Sequence, residues 1–178
     1  IQFFERVDTD RKKLTNQRWS DDDWLVFVPA GGKNPCAAYV KGKQIPCSRT
    51  IVDQTLYWAT VGSEDEAIYI TALMNSPALA EAIREHQPRG AFGERHIHKL
   101  PYERTPAYDP EDPTHQAVVD AAKALLRQWS VRKLERDIEP FLAPEKHLVT
   151  RRKKIRDALA DLPAWNHYID ACANLYSI

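Results

Sequence analysis

The sequence predicts an α+β fold: a small mixed or antiparallel sheet in the N-terminal part with helices packed on it, then a helical C-terminal part. Three observations lead there. Aromatic and β-branched runs of strand length cluster before residue 60. A Ser-x-x-Glu box at Ser63–Glu66 then switches the apolar period from two to 3.6. From Thr114 almost to the end, apolar residues recur at helical spacing.

Taken in order, Trp24-Leu25-Val26-Phe27-Val28 has the composition of a strand, stopped by Pro29 and Gly31-Gly32. Residues 36–40, a Lys41-Gly42-Lys43 turn and a return from Ile45 predict a hairpin, across which Cys36 and Cys47 would face each other as buried free thiols. Thr50-Ile51-Val52 and Thr55-Leu56-Tyr57-Trp58 predict two further short strands, or one bent strand. Ser63 is the predicted cap of a helix that turns Ala67, Ile70, Leu73 and Met74 inward. Asn75-Ser76-Pro77 closes it and opens a second helix, with Ser76 as cap, Pro77 in the first turn and Leu79, Ile83 and His86 along one side.

Residues 88–95 carry two glycines and predict a loop, and His96-Ile97-His98-Lys99-Leu100-Pro101 an edge strand. Pro106, Pro110 and Pro113 mark an extended connector. Beyond Thr114, Val118, Ala122, Leu125 and Trp129 form one stripe, and Val131, Leu134, Ile138 and Phe141 another, offset by two residues; the offset predicts a break or kink near Ser130. A basic helix over 151–162, with Ile155 and Leu159 on one face, and a last helix carrying Trp165, Tyr168, Ile169, Cys172, Leu175 and Tyr176 complete the chain. The expected division is an α/β core over 1–113 with a helical extension over 114–178 packed on it as one structural unit.

The 178 residues are 43% hydrophobic and 28% charged, an ordinary globular balance. No apolar run has the length of a membrane span, so no membrane association is expected. Three cysteines without a CxxC argue against a secreted disulfide framework and for a reducing, cytoplasmic setting. The opening Ile1-Gln2-Phe3-Phe4-Glu5-Arg6 has neither an initiator methionine nor a signal-peptide pattern, which predicts a piece of a longer protein.

With 25 basic and 25 acidic residues, the net charge of +0 argues against a general polyanion binder. The charge is unevenly spread, however. Residues 51–83 hold five acidic residues and no Lys or Arg, whereas 121–156 hold eleven Lys and Arg against four Asp and Glu. A neutral chain with one basic face can still bind nucleic acid.

Catalytic motifs are sought without success. There is no glycine-rich cofactor loop and no Asn/Asp-Pro-Pro-aromatic motif; Asn34-Pro35-Cys36 and Asn75-Ser76-Pro77 lack the second proline and the aromatic. Nucleophile-elbow and zinc-helix patterns are absent as well. On a strand, His96 and His98 would point to one face and could share a metal with His115 or Asp109, but two histidines without a third assured ligand read first as polar strand residues. Asp21-Asp22-Asp23 reads as a solvated cap. Arg89, Phe92, Arg95, His96, His98 and Lys99 gather in and after the glycine-bearing loop. By composition alone they read as a solvated surface loop, and secondly as a loop that approaches a groove with Arg and His set for phosphates or base edges.

One stretch tips that balance. Ile51-Val52-Asp53-Gln54-Thr55-Leu56-Tyr57-Trp58, Ser63-Glu64-Asp65-Glu66-Ala67-Ile68-Tyr69, Ala72-Leu73-Met74-Asn75-Ser76-Pro77 and Arg89-Gly90-Ala91-Phe92-Gly93-Glu94-Arg95-His96-Ile97-His98-Lys99-Leu100-Pro101 follow one another in a characteristic order. The run resembles the TaqI-like C-terminal specificity domain of adenine-specific DNA methyltransferases and fused restriction–modification enzymes. The resemblance covers roughly residues 50–127. It departs from the family where a Leu-Pro-Ile-Pro ending is more usual and Leu100-Pro101-Tyr102-Glu103 stands here, and the segment through Arg49 does not align.

The resemblance implies a non-catalytic module that reads double-stranded DNA for the methyltransferase domain of a parent chain. The module itself holds no cofactor, and S-adenosylmethionine is implied for the parent. The DNA-binding candidates are Arg89, Arg95, His96, His98 and Lys99, with Lys41 and Lys43 in the earlier turn. The alternative is a protein–protein docking module, whose stripe of Trp129, Leu134, Phe141 and Trp165 would join the methyltransferase to a partner subunit.

Overall fold

The structure, a computed structural model, describes residues 16–29, 36–53, 55–84, 89–90, 93–94 and 103–176. It divides into two compact units, Ile1–Tyr108 and Asp109–Ile178. The α+β class is the observed one: among the described residues the first unit has a three-stranded antiparallel sheet, a two-stranded one and two helices of eight residues or more, and the second unit has three such helices.

In the first unit β1 (Trp24–Pro29) is central, flanked by β2 (Ala38–Lys41) and β3 (Leu56–Val61), both antiparallel to it. The register pairs Leu25 with Val40 and Thr60, and Phe27 with Ala38 and Trp58. Side chains alternate across a strand, so Leu25, Phe27, Val40 and Trp58 share one face. They pack there with Trp19, Ile45, Cys47 and Val52 in a small apolar cluster. Trp19 meets Trp58 edge to face at 5.1 Å, and its indole Nε1 donates to the Ile45 carbonyl at 2.8 Å. Val26 and Val28 point to the other face, where both are buried, and β1 packs against α1 (Glu64–Asn75).

Helix α1 starts as the sequence predicts. Ser63 Oγ accepts from the Glu66 amide at 3.1 Å. The return bond lands one residue earlier than a standard box, with Glu66 Oε2 accepting from the Gly62 amide at 2.8 Å. Buried positions span a wider arc than the predicted stripe: Ala67, Ile68, Tyr69, Ala72, Leu73 and Met74, with Ile70 only half-buried. The helix is covered by β1 on one side and by α2 (Pro77–Arg84) on another, so one stripe cannot serve both. Leu79 and Ile83 of α2 are buried as predicted, while His86 lies outside the described residues.

Two strand expectations give way. The segment after Lys41 forms two short 3-10 turns, Gly42–Gln44 and Cys47–Arg49, rather than the second arm of a hairpin. Pro46 lacks the amide a ladder needs. The amides of Gly42 and Lys43 are already given to the carbonyls of Asp23 and Asp21, at 2.8 and 3.1 Å. Cys36 and Cys47 therefore do not face each other across a hairpin; both are half-buried thiols outside any disulfide, and Cys47 donates to the Gln17 carbonyl. Residues 50–52 are no strand either. Asp53 Oδ1 accepts from the Thr55 amide at 2.7 Å and bends the chain, so β3 begins only at Leu56.

In the second unit α3 (Pro113–Arg132) opens with Asp112, whose Oδ1 accepts from the Thr114 amide at 2.7 Å, and with Pro113 in the first turn. It packs against α4 (Leu148–Ala160) and α5 (Trp165–Asn174). Val118, Val119, Ala121, Ala122 and Leu125 are buried, as are Ile138, Ala158, Tyr168, Ala171 and Cys172. Gln128 Oε1 accepts from the Ala164 amide at 2.9 Å and pins the turn before α5 to α3. Of the predicted break or kink near Ser130, the break is the one observed: α3 ends at Arg132, and the next element is a 3-10 turn, Glu139–Phe141. Pro140 forbids an α-helix there, having no amide and clashing with the carbonyl four residues back. Without a continuing helix the second stripe dissolves: Ile138 is buried, but Val131 and Leu134 are 69% and 68% exposed.

Candidate nucleic-acid interface

The predicted recognition loop is anchored by a two-stranded antiparallel ladder, β4 (Arg89–Gly90) with β5 (Gly93–Glu94). Arg89 pairs with Glu94 and Gly90 with Gly93. Glycine suits so short a ladder because it adds no side chain between the paired backbones. Arg95, His96, His98 and Lys99, like the side chain of Arg89 and the predicted strand over 96–101, lie outside the described residues. So does the metal reading at His96 and His98; among the described residues there is no group of three metal-ligating side chains.

The other members of that reading have local work. His115 is buried; its Nδ1 accepts from the Asp109 amide at 2.9 Å, and its Nε2 stands 3.8 Å from Asp112 Oδ2. The imidazole thereby ties the turn before α3 to the helix. Hydrogen bonds from the hydroxyl and amide of Thr114 hold the Asp112 carboxyl below the usual carboxylate range, so the cap is charged and favourably placed at the positive end of α3.

Lys41 and Lys43 sit at the corner between β2 and the first 3-10 turn, on a turn made by Ser20 to Asp23. Lys41 Nζ donates to the Asp22 carbonyl at 2.5 Å and lies 4.6 Å from the centre of the Trp24 ring. Trp24 in turn meets Tyr39 at 5.8 Å. The Lys41 ammonium is thus engaged by an aromatic face and a carbonyl, while the Lys43 side chain is exposed. Asp21, Asp22 and Asp23 occupy the same corner, so it carries no surplus of positive charge. Asp23 Oδ2 accepts from the Ser20 amide at 2.7 Å, a turn-forming bond; the acidic run, expected to cap a helix, leads into strand β1 instead. The Trp24–Tyr39–Lys41 cluster is not legible in the sequence, because Trp24 and Lys41 become neighbours only once the β1–β2 register is known.

The basic stretch of the second unit separates into two kinds of cation. Arg132 reaches Asp137 with two bonds, at 2.7 and 2.8 Å, and Glu135 at 3.1 Å. The paired hydrogen bonds hold Asp137 below the usual carboxylate range and raise Arg132 still higher. Arg151 donates to the carbonyls of Phe141 and Leu142, both at 2.9 Å, closing the 3-10 turn that precedes α4. Lys153 pairs with Asp157 one turn on, at 2.7 Å. These three maintain the fold. Lys146, Arg152 and Arg156 are exposed and have no ion pair or side-chain hydrogen bond among the described residues.

No protein-family model matches the sequence, and no curated protein matches it. Among solved structures the chain is similar to the Type IIL restriction-modification enzyme MmeI in complex with DNA, at 20% identity and a TM-score of 0.46. The alignment covers 89% of this chain and 21% of that one, so the chain spans about a fifth of that enzyme's length. No helix among the described residues is long and apolar enough to cross a membrane.

Proposed function

We propose that the chain is a DNA target-recognition domain of a restriction–modification adenine N6-methyltransferase, not catalytic by itself and serving the methyltransferase domain of a parent chain that uses S-adenosylmethionine. The observation that carries the reading is the order of parts in residues 50–84. The strand–capped-helix–Asn-Ser-Pro–helix order that resembles the specificity domains coincides with β3, α1 and α2. A glycine ladder follows, where the resemblance puts its recognition loop.

The physical logic is that of a base-flipping enzyme. Extruding an adenine costs a few kcal/mol of stacking, and a separate module that grips the neighbouring duplex offsets that cost. Sequence choice then comes from bidentate contacts by side chains such as Arg89 and Arg95, each worth about 1–3 kcal/mol against a wrong base.

Fluorescence anisotropy with labelled duplexes tests the reading. The chain binds duplex DNA, binding weakens steeply with salt, and Arg89→Ala/Arg95→Ala/Lys99→Ala loosens it at least tenfold. A triple variant that binds as the parental chain does would remove the loop from the interface. A second reading, a docking module for the methyltransferase or a partner subunit, draws on the exposed Val131, Leu134, Leu148 and Val149 of the second unit. Concentration-dependent self-association of the chain, measured by sedimentation and lost in Leu134→Ser/Val149→Ser, would favour it.

A further inference from the structure

We propose that the outer face of α4, with Lys146 just before it, is a second DNA-contacting surface that grips phosphates of the duplex without choosing sequence. The choice of duplex DNA among polyanions rests on the reading above; the surface itself rests on the following observations.

From Lys146 to Arg156 the chain carries Lys146, Arg151, Arg152, Lys153, Lys154 and Arg156 and not one carboxylate, although Asp109–Ile178 as a whole has equal numbers of acidic and basic residues. Uneven placement within a neutral unit costs self-repulsion. Arg152 and Arg156, four apart on one helix, stand about one turn from each other, where like charges destabilise a helix by a few tenths of a kcal/mol. For several neighbouring cations such costs are removed. Arg132 has Asp137 and Glu135, Arg151 has two carbonyls, and Lys153 has Asp157, the one carboxylate on α4. Lys154 turns aside, 5.7 Å from the Phe141 ring. From Lys146 to Arg156, what remains exposed and unneutralised among the described residues is Lys146 with the pair Arg152 and Arg156.

The geometry of the helix selects phosphates. Ala158 is buried and Ile155 and Leu159 are half-buried, so the C-terminal part of the apolar side of α4 is spent on the unit's own core, while Leu148 and Val149 in its first turn stay exposed. Arg152 and Arg156 flank this side, exposed and about 6 Å apart along the axis. Guanidinium groups on a rigid helix match a regularly spaced row of phosphates well, since each fork donates to two oxygens of one group. Contacts to phosphate carry no base information, so the contact positions without specifying.

The test uses the whole chain, its Lys146→Ala/Arg152→Ala/Arg156→Ala variant and the Arg152→Lys/Arg156→Lys control, with circular dichroism confirming that α4 is retained. Affinity for two duplexes of unrelated sequence is measured across a salt series. Each phosphate contact contributes about 0.9 to the slope of log K against log salt. The alanine variant therefore loses about 2–3 units of slope, and on the order of 10²-fold in affinity near 0.1 M salt, by the same amount on both duplexes. The lysine control keeps the slope. If the parental chain binds duplex and the alanine variant matches it in slope and affinity, the α4 surface falls and the target-recognition reading stands. If the parental chain binds neither duplex, both fall. Binding of anionic lipid vesicles but not duplex would assign α4 to a membrane surface and overturn the proposal.

Discussion

The side-chain amide of Asn75 holds the backbone of Ala37 as a neighbouring strand would: Oδ1 accepts from the Ala37 amide at 2.9 Å and Nδ2 donates to its carbonyl at 3.0 Å. Only a primary amide offers a donor and an acceptor in that arrangement. The bond pair fastens the entrance of β2 to the last residue of α1, across 38 positions of sequence. Gln17 repeats the device on Val52, accepting from its amide at 2.8 Å and donating to its carbonyl at 2.5 Å.

The Asn-Ser-Pro element is therefore architectural. Ser76 Oγ donates to the Leu73 carbonyl at 2.8 Å and accepts from the Leu79 amide at 3.2 Å, so one buried hydroxyl ends α1 and starts α2. Asn75→Ala removes two hydrogen bonds and destabilises the first unit by about 1–2 kcal/mol. Asn75→Asp keeps the acceptor, loses the donor and leaves a carboxylate facing the Ala37 carbonyl, so it destabilises too. Urea unfolding followed by tryptophan fluorescence reads both, since Trp19 and Trp58 lie in the same unit. Equal midpoints for wild type and Asn75→Ala would show that the clamp contributes nothing.

Gly42 is a sharper case. A Cβ there would stand 2.0 Å from the backbone oxygen of Ser20, which no side-chain motion can relieve. The corner between β2 and the first 3-10 turn must open for any other residue, so Gly42→Ala destabilises by about 1–3 kcal/mol. Gly62 supplies the control. Its added Cβ would lie 3.4 Å from Glu66 Oε2, the end of a flexible side chain. Gly62→Ala leaves the unfolding midpoint close to wild type; an equal loss at both positions would refute the close-approach argument.

How much of this is legible in the sequence depends on what each residue answers to. The Ser63 cap, the Ser76-Pro77 junction and β1 follow from neighbours a few residues away, and the sequence predicts all three. The failures lie where a distant partner decides. Residues 45–52 have strand composition, but Gln17 claims the amide and carbonyl of Val52 and the Trp19 indole claims the Ile45 carbonyl, backbone groups a strand would use. Near Ser130 the offset of the stripes does predict the interruption, but the apolar residues after it do not resume a helix, and Pro140 is incompatible with one at Glu139–Phe141. In the candidate site, charge is visible and commitment is not. Nothing in the sequence separates Arg132, bound to Asp137, from Arg156, which the fold leaves exposed.

Cys172 is fully buried on α5, and burial pushes its thiol up to about 12. At pH 8 such a thiol has roughly three orders of magnitude less thiolate than an ordinary cysteine. Half-buried Cys36 and Cys47 have no such burden of position. Under native conditions a disulfide-exchange reagent modifies two thiols at measurable rates and leaves the third, which mass spectrometry of the labelled peptides assigns to Cys172. Denaturant releases it. Rapid native labelling of Cys172 would mean that α5 opens far more readily than its packing implies.

The Asp112 cap gives the second unit a pH dependence with a definite sign. Its carboxyl is held low by the Thr114 hydroxyl and amide in the folded chain, against an ordinary value of 3.8 once those bonds are lost. A carboxylate whose folded pKa is depressed contributes stability that is complete above the unfolded value and is lost as pH falls through the folded one. The α3 helix is therefore unaffected by this group above about pH 5 and loses its contribution progressively as pH drops below the ordinary carboxylate range. Asp137, held low by Arg132, titrates in the same direction, so it is removed from the comparison by working in an Asp137→Asn background. In that background Asp112→Asn keeps an oxygen that accepts from the Thr114 amide but has no proton to gain. Between pH 6 and pH 3 the thermal midpoint of the helical signal at 222 nm then falls less in the Asp112→Asn variant than in the chain that keeps Asp112. Parallel decline of the two would show that the low-pH loss comes from other carboxylates and that the cap's charge is unimportant to α3.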